Sequence, residues 1–291
     1  MQLDIFNDSR DVMLRNDVLS ALQQYDAAGA RRALQALANE YPDDVAHQLY
    51  FESIVNALEG RSTVPFDRHE AALRARQALS HEVQPAVARM FPGQTGATWL
   101  APLWAELAGR AAALPFHSDH ADAHAAPLFL LAARWAEARE AILRIASWRR
   151  IPAPLCWMAE ARYRLDGLDA AWPLLVELAW LSPSRFDQLL IRLGDACVNT
   201  LRRDFDTSFD GAGDIGDLAW FPAWVLTEKA GLAPLFRQAE PSRRNAPERA
   251  AKVMLELLSL ERQGRHHELL ETRRELQALN TALYAAYMKT R

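Results

Sequence analysis

The acidic segment 204–217 has the residue types and spacing closest to those of a metal site. Counting from Asp206, oxygen-bearing side chains stand at positions 1, 3, 5, 9 and 12 and glycine at position 6, namely Asp206, Ser208, Asp210, Asp214 and Asp217, with Gly211. This order is close to a calcium loop of the EF-hand kind, where a hard cation takes several oxygen ligands. Asp replaces the usual Glu at the last position, and a flexible acidic turn explains the segment as well. Calcium is therefore a hypothesis, and no metal or cofactor is assigned.

Three histidines, His117, His120 and His124, form a second group with metal-binding residue types. They lie among Asp119 and Asp122, and an early helix start would place the three imidazoles on one face, as zinc requires. Ser118 and Asp119 are also typical caps of a helix that opens at Ala121. The sequence favours this capping interpretation.

A basic, titratable patch follows near the end of the chain. His266 and His267 stand beside four arginines, which are Arg262, Arg265, Arg273 and Arg274. Such a patch could meet an acidic partner. A solvated helix face is the interpretation that the sequence favours.

The run Trp148, Arg149 and Arg150 combines an aromatic ring with two guanidinium groups at the predicted end of a helix. Arginine binds carboxylates through two parallel hydrogen bonds. We predict that these three residues contact a partner. The other clustered tryptophans, Trp157, Trp172, Trp180, Trp220 and Trp224, are predicted to pack between helices.

Catalytic motifs are missing from the sequence. It contains no Gly-rich phosphate loop, no G-x-S-x-G, no H-E-x-x-H and no Cys/His pair in a suggestive context. We therefore assign no catalytic residue, and the sequence favours a non-enzymatic function over an enzymatic one.

The composition is that of an ordinary globular protein with 291 residues and a formal net charge of −4. This charge offers no general attraction to nucleic acid or anionic lipid. The opening MQLDIFNDSR has no apolar run, and no segment is apolar enough to span a membrane. We predict a cytoplasmic protein whose partner is a protein or peptide, with small molecules disfavoured. Cys156 and Cys197 are predicted to be buried, reduced thiols.

The fold class predicted is all-α, because good helix formers dominate and alternating strand patterns are absent. Helical spacing extends over approximately 11–24, 28–40, 44–59, 68–80, 98–114, 121–133, 136–147, 154–165, 169–181, 185–203, 218–229, 247–263 and 265–289. Proline-containing breaks separate many of them, at 41–44, 91–93, 151–154, 182–184 and 239–242.

Two of these helix pairs repeat at a spacing of 33 residues. Ala126, Trp135, Ala138, Ile142 and Ile145 correspond in order to Ala159, Leu168, Ala171, Leu175 and Leu178. A small residue followed by large ones at helical spacing lets two helices approach closely at the alanine.

At these residues the sequence resembles the tetratricopeptide repeat family, whose units are helix–turn–helix pairs. The resemblance is strongest over 119–183, extends to 11–60 and is faint over 247–289, whereas 61–117 does not fit. It implies an α-solenoid of antiparallel helix pairs with a concave groove for peptides or partner proteins. We expect one helical domain over 1–291, irregular in the middle, with two blocks at 1–90 and 98–291.

The predicted function is that of a non-enzymatic protein- or peptide-interaction module. The alternative is an α-helical enzyme, or a ligand- or cation-binding protein, with its site near the loop 204–224.

Overall fold

The computed structural model describes residues 10–240 and 245–291, and over these residues the chain is helical with no strand. The all-α prediction is confirmed. The opening segment 1–9 and the predicted break at Pro241 and Ser242 lie outside the described residues. Two compact units divide between Glu137 and Ala138, whereas the sequence suggested a joint between residues 90 and 98. In the described part, no helix combines the length and apolar character needed to cross a bilayer.

The N-terminal unit is built from consecutive helices that pack on their neighbours, α1 on α2, α2 on α3 and α6 on α7. These helices are α1 (Arg10–Gln23), α2 (Ala27–Glu40), α3 (Val45–Glu59), α4 (His69–Ala78), α5 (Gln84–Met90), α6 (Gln94–Ala111) and α7 (Ala125–Leu131). The boundary between the units falls within α8 (Trp135–Leu143). A 3-10 segment, Ser118–Ala123, precedes α7.

Tyr25 and Trp99 join the turn between α1 and α2 to α6. Their rings stack with centroids 5.3 Å apart. The indole Nε1 of Trp99 donates a hydrogen bond to the carbonyl of Leu22 at 2.8 Å, and the Tyr25 hydroxyl donates to the carbonyl of Trp99 at 2.8 Å. Both polar tips are thus satisfied while the rings are packed.

The segment predicted to be irregular contains a π-helical turn, Leu79–Val83, between α4 and α5. It replaces the predicted helix end at Ser80, and the helical path continues to Met90. The turn includes His81, four residues before Pro85. In a regular α-helix a proline ring clashes with the carbonyl four residues earlier, so a widened turn relieves this clash.

The C-terminal unit combines packed pairs of successive helices with contacts between helices further apart in sequence. α9 packs on α10 and α11, α15 packs on α16, and α13 contacts both α15 and α17. The helices are α9 (Pro152–Asp166), α10 (Leu168–Leu181), α11 (Pro183–Leu193), α12 (Ala196–Ser208), α13 (Phe221–Glu228), α14 (Ala233–Phe236), α15 (Ala246–Gln263), α16 (His266–Leu279) and α17 (Thr281–Lys289). Short 3-10 turns occur at Trp148–Arg150, Ile215–Ala219 and Ala230–Leu232.

The alanines of the repeat are all fully buried, Ala126 and Ala138 in one copy and Ala159 and Ala171 in the other. The second copy forms the packed pair α9 and α10. This burial agrees with close helix contacts at small residues. The regular solenoid stays a prediction.

Replacing Ala171 with leucine is expected to lower the free energy of unfolding by about 1–3 kcal/mol, because the added atoms overpack a filled interior. The matched control is Ala278→Leu on the exposed part of α16, which should change stability little. Urea unfolding of both variants measures the difference. Equal stability of Ala171→Leu and the wild type would contradict a close helix contact at this alanine.

The prediction of two buried cysteines is correct for Cys156 and wrong for Cys197, which is exposed. Both are free thiols. Cys197 lies in the first turn of α12, whose inward face is formed by Val198, Leu201 and Phe205. Apolar neighbours in sequence did not indicate burial here, because on a helix adjacent residues point in different directions.

Candidate functional site

Trp148, Arg149 and Arg150 form a 3-10 turn between α8 and α9. The guanidinium of Arg149 binds the carboxylate of Glu177, on α10, through two hydrogen bonds. Nε donates to Oε2 at 2.7 Å and Nη2 to Oε1 at 2.6 Å. Nη1 donates to the carboxylate of Glu240 at 2.5 Å. Arg149 is thus largely engaged within the chain, and its contact with a partner stays a prediction.

Glu177 is a buried carboxylate, only 4% exposed. It also accepts a hydrogen bond from the backbone N–H of Glu240 at 2.7 Å. Burial raises the pKa of Glu177 above its ordinary value, although the hydrogen bonds from Arg149 and from that N–H act in the opposite direction. The paired carboxylate in turn raises the pKa of Arg149. This ion pair holds the turn, α10 and the segment 238–240 together.

Next to this pair lies a hollow of about 550 Å³. Its wall combines guanidinium groups with apolar side chains, and the lining residues are Arg139, Leu143, Trp148, Arg149, Met158, Arg162, Ala170, Pro173, Leu174 and Gln238. Its volume is within the range of about 300–1,000 Å³ that is typical of ligand sites. Two of the predicted residues, Trp148 and Arg149, therefore lie in one hollow. Arg150 does not line it and stands near Glu240, with Nη2 3.9 Å from that carboxylate.

The hollow carries excess positive charge. None of its described lining residues is acidic. Arg139 makes no hydrogen bond or ion pair with the described part of the chain, and Arg162 pairs with Asp166 one turn further along α9, at 2.8 Å. These half-buried guanidinium groups can receive a carboxylate from outside.

Arg139 and Arg162 were not predicted as site residues. Each has an apolar residue of the same hollow four positions away on its own helix, Leu143 on α8 and Met158 on α9. This spacing puts each pair on one helix face. A sequence signal was therefore present, but it did not reveal that the two faces line one hollow.

The acidic loop is arranged differently from a calcium loop. Asp206 and Ser208 belong to α12, where Asp206 forms an ion pair with Arg202 and the Ser208 hydroxyl donates to the carbonyl of Asp204. The carboxylate of Asp217 accepts the N–H groups of Ala212 and Gly213 at 3.1 and 2.7 Å. Asp214 accepts the N–H of Gly216, and Asp210 is part of the turn after α12.

Across residues 10–240 and 245–291, no group of three or more His, Cys, Asp or Glu is arranged to hold a metal ion. The helix extends further than the sequence indicated, so the first two proposed ligands lie on it rather than in the loop. The carboxylates of Asp214 and Asp217 bond to nearby backbone N–H groups.

The histidines group differently from the expected set. His117 and His120 lie near His69, with ring centroids 6.0 and 5.5 Å from that ring. His69 Nε2 lies 2.8 Å from the carbonyl of Pro115. His124 is separate and caps α7, where its Nδ1 accepts the N–H of Ala126. The residue that caps the helix is thus His124 at the start of α7, and not Ser118 or Asp119 as the sequence indicated.

The basic patch on α16 is interleaved with acids. Arg265 pairs with Glu268, and Arg273 lies 3.8 Å from Glu261. Arg262 donates to the carbonyl of Leu258, whereas His266, His267 and Arg274 are solvent-facing. The patch is therefore a mixed helix surface.

The tryptophans divide into core and rim residues. Trp157, Trp172, Trp180 and Trp224 are buried, as predicted for packing between helices. Trp148 and Trp220 are only half-buried.

No family model, curated protein or solved structure matches this chain. The resemblance to tetratricopeptide repeats thus depends on the residues at the spacing of 33.

Proposed function

We propose that the protein is a non-enzymatic peptide-interaction module of the α-solenoid type. Its hollow in the C-terminal unit receives an acidic segment of a partner protein. The observation that carries this proposal is the guanidinium of Arg139, which has no partner among the described residues and lines the same hollow as Arg162 and Trp148. A carboxylate is the group that best completes such a site.

The lining supports a ligand with both acidic and apolar side chains. Leu143 is largely exposed although it lines the hollow, and Met158 and Leu174 form a buried apolar base. Covering Leu143 removes apolar surface from water. Trp148 adds a half-buried aromatic ring, the residue type that often dominates interface energies. Arg149 is held by Glu177, and its guanidinium carbon lies 6.0 Å from the centroid of the Trp148 ring.

The alternative is a ligand- or cation-binding protein, or an enzyme, with its site near the loop 204–224. A cavity of about 310 Å³ lies there, lined by residues that include Arg202, Phe205, Asp206 and Asp217. Asp206 and Arg202 pair with each other, and Asp217 binds backbone N–H groups. These charges are already compensated, so the hollow with Arg139 is the better supported site.

Replacing Arg139 and Arg162 together with alanine is expected to weaken binding of an acidic peptide by at least about tenfold. Each charge-assisted hydrogen bond contributes about 1.5–3 kcal/mol when water is excluded. The probe is a short fluorescein-labelled peptide of alternating Glu and Leu, and the measurement is fluorescence anisotropy at low salt. The same peptide with Gln in place of Glu should bind more weakly.

The matched control is Arg144→Ala with Arg274→Ala, which removes two exposed arginines outside the hollow. It changes the net charge equally and should leave the affinity nearly unchanged. Equal losses in both double variants would mean a general charge effect and would contradict a specific site. Equal affinity for the Glu and Gln peptides would contradict carboxylate recognition.

A further inference from the structure

A second open groove lies within the N-terminal unit and has a volume of about 520 Å³. One part of its lining is the face of α3 with Leu49 and Ala57, and another part is α4 and the π turn, with Ala75 and Ala78. Leu103 and Leu107 of α6 also line it. Leu49 is largely exposed in spite of its size, so the groove offers apolar surface that the described chain leaves uncovered.

Two acidic side chains at this groove have few partners among the described residues. Glu82 has no hydrogen bond or ion pair with the described residues, and Glu52 has one weak ion-pair contact, 4.0 Å from Arg31. These two glutamates belong to different elements of the lining, α3 and the π turn. They make the rim attractive to cations.

The other charged groups of the lining are occupied. Glu106 accepts hydrogen bonds from Arg61 Nε at 2.8 Å and from the N–H of Ser62 at 2.9 Å. Arg110 donates to the carbonyl of Val64 at 2.9 Å and lies over the ring of Phe66. Glu52 and Glu82 are thus the carboxylates of the groove with the fewest partners among the described residues, whereas Arg110 keeps its positive charge.

The walls favour a helical ligand over an extended one. Most of the lining belongs to helices, whose backbone groups already bond within each helix. An extended peptide would find few backbone partners there, whereas a helix satisfies its own backbone. Small residues on both walls, Ser53 and Ala57 on α3 and Ala75 on α4, permit close approach of another helix. The Ser53 hydroxyl oxygen is buried and has no hydrogen-bond partner.

We infer that this groove is the docking site of an amphipathic helix from a partner protein, with Lys or Arg flanking its apolar face. The apolar face covers Leu49, Leu103 and Leu107. The basic side chains pair with Glu52 on α3 and Glu82 on the π turn. This site takes a ligand of opposite charge to that of the hollow with Arg139.

The test uses the full chain and a stapled helical peptide with leucines at i, i+3, i+4 and i+7 and lysines on both flanks. Fluorescence anisotropy measures its affinity for the wild type and for two variants. Glu52→Lys with Glu82→Lys is expected to weaken binding at least about tenfold, since like charges now face each other. Ala78→Trp places a bulky ring at an exposed groove position and is expected to weaken binding to a similar degree.

The matched control is Glu256→Lys with Glu271→Lys, two exposed glutamates of the C-terminal unit with no ion pair in the described structure. It should bind the peptide as the wild type does. Circular dichroism melts verify that each variant is folded. If the variant with Glu52→Lys and Glu82→Lys does not fold, the binding result of Ala78→Trp tests the inference instead. Binding should also weaken with added salt.

Three results would overturn the inference. The first is equal binding of a peptide with glutamates in place of its lysines, and the second is equal binding of a scrambled peptide without an apolar face. The third is a wild-type affinity in Ala78→Trp. Analytical ultracentrifugation tests whether a second copy of this chain occupies the groove. A wild-type dimer that is lost in Ala78→Trp would contradict docking of a partner helix. The outcome is independent of the Arg139 and Arg162 experiment, which uses another peptide and another unit.

Discussion

Replacing Arg149 with alanine is expected to lower the free energy of unfolding by about 3–5 kcal/mol at neutral pH. The variant leaves the buried carboxylate of Glu177 without the guanidinium that binds it through two hydrogen bonds. Removing one member of a buried ion pair costs this much because the remaining charge is uncompensated. Urea unfolding followed by circular dichroism measures the change.

The loss should depend on pH in a defined direction. Burial already raises the pKa of Glu177, and Arg149 opposes this shift, so the variant raises that pKa further. A carboxyl whose pKa is raised in the folded state stabilises the fold when protonated, and this contribution disappears as the pH rises through the raised pKa. The destabilisation should therefore shrink in mildly acidic buffer and be largest in alkaline buffer.

Glu177→Gln in the Arg149→Ala background is the control for this explanation. The amide retains an acceptor for the backbone N–H of Glu240 but carries no charge, so part of the lost stability should return. A double variant less stable than Arg149→Ala at neutral pH would contradict the role of an uncompensated charge.

Replacing Trp224 with alanine is expected to cost about 3–5 kcal/mol of unfolding free energy. Trp224 is 2% exposed, and its ring centroid lies 5.4 Å from that of Phe205 and 6.2 Å from that of Phe221. Alanine would leave a cavity within this aromatic cluster. Thermal and urea unfolding both measure the effect.

Trp220→Ala is the matched control, because Trp220 lies in the same sequence motif but is only half-buried. Its cost should be clearly smaller. Similar costs for the two variants would show that burial in the cluster does not explain the contribution of Trp224.

Helix boundaries were predictable where capping residues or prolines mark them. The predicted and observed limits of α2, α3, α10 and α15 agree within one residue. The predicted helix 185–203 is instead two helices, because Gly194 adopts a left-handed conformation and Asp195 caps α12. Asn280 divides 265–289 in the same way, through its cap on α17. Asp195 and Asn280 are residue types that often cap helices. The helical spacing continues across both positions, however, and therefore predicted one long helix in each case.

The candidate site was predictable only in part. Trp148 and Arg149 stood out as residue types, whereas Arg139 and Arg162 become site residues only when α8, α9 and α10 are placed around one hollow. The pattern of a single sequence predicts which residues share one face of a helix. It does not predict which other helix that face lies against. Glu177 could have been predicted from the sequence as a paired residue. An acid within the apolar run Leu174–Leu181 indicates a buried charge that needs a partner.

Photo-crosslinking tests the central proposal most directly, since it locates an acidic peptide on the protein. The Glu and Leu peptide would carry a photoreactive group in place of one leucine, and mass spectrometry would identify the labelled residues. We expect labels at Leu143, Met158 or Leu174 around the hollow, and their loss in the variant lacking Arg139 and Arg162. Labels confined to the loop 204–217 or to the N-terminal unit would contradict the proposed function.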